Sequence, residues 1–175
     1  AYVDFMDPER RIDVQAYIRG GKPVAALRTF SKAYGLSGLR LGYGIMDVDM
    51  AGYLNRIRQP FNVNSLAQVG GVAALEDDEH YGMTLQKSRD GIAWLRREIA
   101  KLGCRPMETQ TNFFLIDVNG DARELYEHML HQGVIVRPMQ AYGYPNYIRI
   151  TVGRAHENQR FVETLAKSLK ELGYG

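Results

Sequence analysis

One cysteine, Cys104, is all the chain carries, so no internal disulfide can form. That favours a reducing compartment, and cytoplasm is the expected location. Long apolar runs are missing too, and no stretch approaches the about 20 residues that a membrane-spanning helix needs. Charge of one sign is not in excess: the net value of +2 gives no reason to expect nucleic acid or membrane as a partner. There is no Gly-x-Gly-x-x-Gly, no Walker loop and no His-Glu-x-x-His. His128 and His131 fall three apart on an expected helix without a third ligand, so they read as a solvated helix face and no metal is expected. Ser31 and Lys32 are adjacent in a turn and point apart, with no oxyanion motif beside them. That excludes a Ser-Lys hydrolase.

What remains is ordinary globular material: 175 residues, 45% hydrophobic and 24% charged, enough for one domain or two small ones. Against that background one stretch stands apart, Thr29-Phe30-Ser31-Lys32-Ala33-Tyr34-Gly35-Leu36-Ser37-Gly38-Leu39-Arg40-Leu41-Gly42-Tyr43. A lysine sits among small and apolar residues, with hydroxyls before it and an arginine eight positions later. A lysine that attacks a carbonyl must become an uncharged amine, which a partly dry pocket promotes. Thr29, Ser31 and Arg40 offer what a phosphate needs, a fixed cation and several donors. Lysine and phosphate cradle together point to pyridoxal phosphate. Singly, Thr29 and Ser31 read equally well as turn hydroxyls.

The pattern along the chain places this motif. Apolar runs over 24–29 and 41–45 read as buried strands around the loop. Asp47 caps an expected helix over 47–58, stopped by Pro60. Asn64 or Ser65 caps the next helix, with Leu66, Val69, Val72, Ala73 and Leu75 on one face and Gly70-Gly71 packed closely against a neighbour. A long amphipathic helix is expected over about 80–102, closed by Gly103. Beyond it follow a strand over 113–118, a helix over 122–132, a strand over 134–136, a strand over 147–152 and a helix over 155–172. Residues 1–5 alternate like a strand already under way. The division is expected near Asp78: residues 1–78 form the tail of a large cofactor domain, and 79–175 a connecting helix and small α+β domain.

The lysine segment closely resembles the cofactor motif of fold-type I aminotransferases, an α/β fold, and within them the histidinol-phosphate aminotransferase branch. The resemblance continues through Gln59-Pro60-Phe61-Asn62-Val63-Asn64, Thr111-Asn112-Phe113-Phe114, Val136-Arg137-Pro138-Met139 and Asn146-Tyr147-Ile148-Arg149-Ile150-Thr151-Val152-Gly153. It implies that Lys32 is catalytic and carries pyridoxal phosphate, that Thr29, Ser31 and Arg40 bind the phosphate, and that Tyr2 donates to the cofactor's phenolic oxygen. It assigns Arg149 to the substrate's anionic group, Arg137 to a second cation nearby and Asn112 to the pocket wall. Arg149 stands in an apolar run where an unpaired charge is costly. Arg149 also reads as a strand arginine projecting to solvent, and Tyr2 as a half-buried strand tyrosine.

Histidinol phosphate and glutamate or 2-oxoglutarate are the implied substrates, in a homodimer of histidine biosynthesis. An aromatic aminotransferase or an amino-acid-phosphate decarboxylase on the same scaffold is the alternative, and a non-catalytic binding remnant the alternative from another class. The resemblance covers only the second half of such enzymes. An Asp-Glu pair, a first phosphate-binding loop and a ring-contacting asparagine would precede Ala1, so residues 1–175 alone are expected to be inactive.

Overall fold

The computed structural model describes residues 1–174. By its contacts the chain divides into two compact units, Ala1–Leu85 and Gln86–Gly175, with the division inside a helix whose start is at Asp78.

The first unit opens on a 3₁₀ turn, Val3–Phe5, and not on a strand. The Phe5 amide donates to the Tyr2 carbonyl at 3.0 Å and Met6 to Val3 at 3.2 Å, which turns Phe5 inward onto Ala33 and Leu85. After a second 3₁₀ turn, Pro8–Arg10, α1 (Val14–Arg19) starts from Asp13, whose carboxylate accepts the Ala16 amide at 3.0 Å.

β1 (Ala26–Thr29) and β2 (Gly42–Ile45) pair antiparallel, Arg28 facing Tyr43 and Thr29 facing Gly42. They are not the buried strands expected, since Leu27 is 74% exposed. A two-stranded ribbon gives each strand one neighbour and cannot sandwich both faces.

α2 (Val48–Ile57) begins as the sequence requires, with Asp47 accepting the Met50 amide at 2.9 Å. Asn64 caps α3 (Ser65–Glu76) by accepting the Ala67 amide at 2.8 Å. The buried face of α3 is not the aliphatic one. Ala67 and Gly71 are buried, and a Cβ on Gly71 would come within 2.4 Å of Leu41 Cδ2. Leu66, Val69, Val72 and Leu75 are all exposed. α4 (Asp78–Lys101) follows after a single break residue, Asp77.

In the second unit the later turns of α4 lead to β3 (Arg105–Pro106), β4 (Phe113–Asp117), α5 (Ala122–His131), β5 (Arg137–Met139), β6 (Tyr144–Thr151) and α6 (Ala155–Leu172). The sheet runs β3-β4-β6-β5 and every pairing is antiparallel. The strand expected over 134–136 lies instead at Arg137–Met139. Gly133 closes α5 at φ +77°, and 134–136 is the return segment. Pro138 is tolerated there because β5 is an edge strand, where a missing donor costs little.

Alternation on β4 and β6 sends Phe114, Ile116, Ile148 and Ile150 to one side, where Leu95, Ile99, Leu125, Met129, Phe161 and Leu165 cover them. The other face of the sheet carries Phe113, Leu115, Arg149 and Arg137.

Candidate active site

The lysine loop is built by local hydrogen bonds in the first unit. Phe30 donates to the Leu41 carbonyl at 3.1 Å, joining the end of β1 to the start of β2. The Leu36 amide returns to the Phe30 carbonyl at 3.0 Å and Gly35 to Lys32 at 3.0 Å, with Gly35 at φ +71°. That conformation favours glycine.

Inside this turn the Thr29 hydroxyl donates to Ser31 Oγ at 2.9 Å and accepts the Ser31 amide at 3.1 Å. Two hydroxyls therefore converge immediately before Lys32. Lys32 Nζ stands 5.3 Å from the centre of the Tyr2 ring. Lys32 itself is exposed, so the described residues of this unit give it one aromatic wall and no dry pocket. Arg40 adopts a left-handed backbone, φ +56°, and its guanidinium donates to the Ser37 carbonyl at 2.6 Å. A positive φ at a non-glycine residue is a strained choice that clusters at functional sites. Gly42 has a different duty, because a Cβ there would lie 2.7 Å from the Arg28 carbonyl oxygen across the ribbon. Two hydroxyls, a guanidinium and an amine within one loop, with the Tyr2 ring beside the amine, fit the donor set of a phosphate-bearing aldehyde.

Behind the lysine the turn rests on an aromatic ladder. Phe30 and Tyr34 lie 5.0 Å apart, and Tyr34 stacks on Tyr81 at 5.0 Å. Tyr81 donates to Asp4 at 3.1 Å. Burial, with the Asp4 carboxylate second, pushes the Tyr81 hydroxyl up to about 12 and raises Tyr34 in the same direction. Arg28 was not singled out by the sequence reading. Its Nη1 is buried with no hydrogen-bond partner among the described residues. Alternation along β1 puts it on the face opposite Thr29.

The second unit holds the other cations. Arg149 lies midway along β6, with Leu115 of β4 on one side and Arg137 of β5 on the other. Both arginines line a cleft of about 560 Å3, with Thr151, Glu157 and Arg160 among its walls. Among the described residues no carboxylate pairs with either guanidinium. Glu157 instead accepts the Arg154 amide at 2.6 Å as part of the α6 cap. Asn112 is half-buried just before β4, and its carbonyl accepts the Val152 amide at 2.9 Å.

His128 is not on a solvated face as expected. Its Nδ1 lies 3.1 Å from the buried Ser168 hydroxyl and 3.0 Å from Gln132 Nε2, while Nε2 meets Glu171 at 3.1 Å. The spacing on α5 could not show this, because the partners come from α6. No group of three or more histidine, cysteine, aspartate or glutamate side chains comes together among the described residues, and no helix there is long and apolar enough to cross a membrane.

The family profile described as aminotransferase class I and II matches residues 1–165. The chain belongs to that family. Among its relatives, histidinol-phosphate aminotransferase of Desulfotalea psychrophila is 57% identical over 99% of this chain and 47% of its own length. The crystal structure of histidinol-phosphate aminotransferase from Sinorhizobium meliloti in complex with pyridoxal-5'-phosphate superposes with a TM-score of 0.90 at 26% identity, over 98% of this chain and 48% of that one. L-threonine-O-3-phosphate decarboxylase from Porphyromonas gingivalis superposes with a TM-score of 0.81 at 27% identity, over 97% of this chain and 53% of that one. The fold is thus the α/β fold of these aminotransferases, and this chain spans about half the length of the relatives it matches.

Proposed function

We propose that this aminotransferase chain carries the cofactor lysine and the substrate-anion residues of a pyridoxal-phosphate-dependent histidinol-phosphate:2-oxoglutarate aminotransferase. The observation that carries the reading is the pair Arg137 and Arg149, opposite each other on β5 and β6 and free of carboxylate partners among the described residues. The 57% identity to the Desulfotalea psychrophila enzyme supports the substrate.

Thr29, Ser31 and Arg40 would hold the cofactor's phosphate, and Lys32, beside Tyr2, would hold its aldehyde end. Bound pyridoxal phosphate supplies an electron sink that makes a proton on the substrate's amino carbon removable. Lys32 Nζ takes that proton and later returns one, as base and then acid. Asn112 lines the pocket. Arg149 forks onto the anion next to the amino carbon, a carboxylate in glutamate and a phosphate ester in histidinol phosphate, since both offer paired oxygens. Arg137 adds the second cation that a doubly charged phosphate rewards more than a carboxylate does.

We assign residues 1–78 to the large cofactor domain and 79–175 to the connecting helix and small domain. The same reading makes the enzyme a cytoplasmic homodimer, and the exposed aliphatic row of α3 supports a further protein surface packing there. Its test is single-turnover kinetics of both half-reactions in the full-length protein. Arg149→Ala should cripple both, whereas a wild type that prefers phenylalanine to histidinol phosphate would leave an aromatic aminotransferase. The likeness to a threonine-phosphate decarboxylase favours one second reading, amino-acid-phosphate decarboxylation, which release of carbon dioxide in place of amino transfer would establish.

A further inference from the structure

Arg137 and Arg149 pose a physical problem that the anion reading does not solve by itself. Residues directly opposite in an antiparallel pair project from the same face with Cβ atoms about 5 Å apart, and like charges so placed repel. The two Cα atoms are register partners, and neither guanidinium has an acid to neutralise it among the described residues. The acid on the same face, Asp117, is already held by Arg105 at 3.0 Å.

Each cation is drawn onto its own aromatic ring instead. The Arg149 guanidinium lies 5.0 Å from the centre of Phe113, and the Arg137 guanidinium 5.8 Å from the centre of Tyr142. The two rings stand on opposite sides of the pair. Phe113 is on β4 opposite Thr151, two places from Leu115, and is therefore the diagonal neighbour of Arg149, within reach of a long side chain. Tyr142 belongs to the 3₁₀ turn Gln140–Tyr142 after β5, closed by Gly143 at φ +83°. One arginine leans toward β4 and the other toward the β5–β6 turn.

The geometry points to Phe113 and Tyr142 as positioning residues that draw the two arginines apart, so that an anion can sit between them. This rests on the anion-binding reading of Arg137 and Arg149 and adds what makes that pair stable before substrate arrives.

Phe113 is suited to the task because its backbone is clamped. Its carbonyl accepts from the Thr109 hydroxyl at 2.7 Å and from the Thr111 hydroxyl at 2.8 Å, and its amide donates to Thr111 Oγ1 at 3.2 Å. The ring is half-buried, so the negative face it presents to Arg149 is partly shielded from water, where a cation–π contact is worth most. Tyr142 is 57% exposed and should do less. A flat guanidinium stacks on such a ring while keeping its edge donors free, which an ammonium cannot do. The segment Thr-Asn-Phe-Phe therefore supplies a rigid platform for Arg149 as well as a pocket wall.

The decisive experiment replaces Phe113 in the full-length holoenzyme by phenylalanines with progressively fluorinated rings. These keep ring size while draining the negative face. Binding of inorganic phosphate, measured by calorimetry, should weaken stepwise by about two- to five-fold across the series. The KM for glutamate should rise in parallel while kcat and thermal stability stay constant. Phe113→Leu should match the most fluorinated ring, and Phe113→Tyr should restore wild-type binding. Tyr142→Leu should show a smaller weakening.

Phosphate binding that does not change along the fluorination series, with Arg149→Ala having lost it, overturns the positioning role and leaves the anion site standing. Wild-type phosphate binding by Arg149→Ala overturns the anion site itself.

Discussion

The two units treat their apolar residues in opposite ways. In residues 86–174 the apolar side chains of α4, α5, α6 and the sheet close on one another, and Ile116, Leu125, Met129, Ile148 and Leu165 are fully buried. In residues 1–85 the buried cluster is three residues, Phe5, Ala33 and Leu85, while Val48, Ile57, Phe61, Leu66 and Val69 are all at least 70% exposed. The first unit carries the lysine, the hydroxyls and the strained Arg40. The second carries the paired arginines on a rigid sheet. In the proposed function the bond-making chemistry falls to the unit with the less complete core, and the recognition of charge to the self-sufficient one. Those exposed side chains support the proposed packing of a further protein surface on this unit.

The largest effect expected is on turnover. Lys32→Ala in the full-length enzyme should lower transamination by about 10²–10⁴-fold through loss of proton transfer alone. Borohydride reduction of the holoenzyme, followed by peptide mapping, should place the pyridoxyl label on Lys32, and a label on Lys22 would refute the assignment. Residues 1–175 by themselves should show no turnover, and measurable activity would mean that the first unit is more complete than its exposure indicates.

Stability should separate the units next. In the 175-residue chain, Ile148→Ala should cost about 2–5 kcal/mol by denaturant unfolding, as for a buried aliphatic truncated to leave a cavity. Leu66→Ala in the same chain should fall within about 0.5 kcal/mol of wild type, and the cost should rise in the full-length protein. Equal costs in the short chain would end the comparison.

A smaller change is expected for Arg137→Ala. It should lower kcat/KM for histidinol phosphate by about 1–3 kcal/mol more than for glutamate, as for one lost charged hydrogen bond. Equal losses would remove its role in choosing phosphate.

The smallest effect concerns alkaline pH. Burial and the Asp4 carboxylate push the Tyr81 hydroxyl to about 12 in the fold, whereas an unfolded tyrosine ionises near about 10. The unfolded chain therefore gives up its proton first as pH rises. This contribution to stability is complete below about pH 10 and is lost between there and about 12. Tyr81→Phe should make the decline shallower, with Tyr34 contributing what remains. An unchanged decline in urea melts across that range would show that Tyr81 is not coupled to folding.

Much of this was legible from residues alone. Asp47 and Asn64 cap their helices because a short side chain needs only its own next three residues to do so. α6 runs from Ala155 to Leu172 as its spacing requires, burying Phe161, Leu165 and Leu169. Other readings failed where the outcome depended on a partner surface. The aliphatic row of α3 suggested the buried face, yet Ala67 and Gly71 are the buried residues, and Leu39 and Leu41 approach Gly70 and Gly71 where a Cβ would not fit. The strand expected at 134–136 moved to Arg137–Met139 because β6 selects the residues it pairs with. His128 gave no sign of its bonds to Ser168 and Glu171, some forty residues away on another helix.

Sequence by itself determined the chemistry available: a lysine behind two hydroxyls, an arginine eight residues on, and the caps and turns that shape the loop around them. Those features rest on hydrogen bonds spanning a few residues, so local order suffices to specify them. Only the tertiary structure decided which faces are buried, and only β5–β6 pairing put Arg137 opposite Arg149, with Phe113 brought diagonally beside Arg149 from β4. A strand's neighbours follow from which surfaces bury the most apolar area together, and that sum runs over the whole chain.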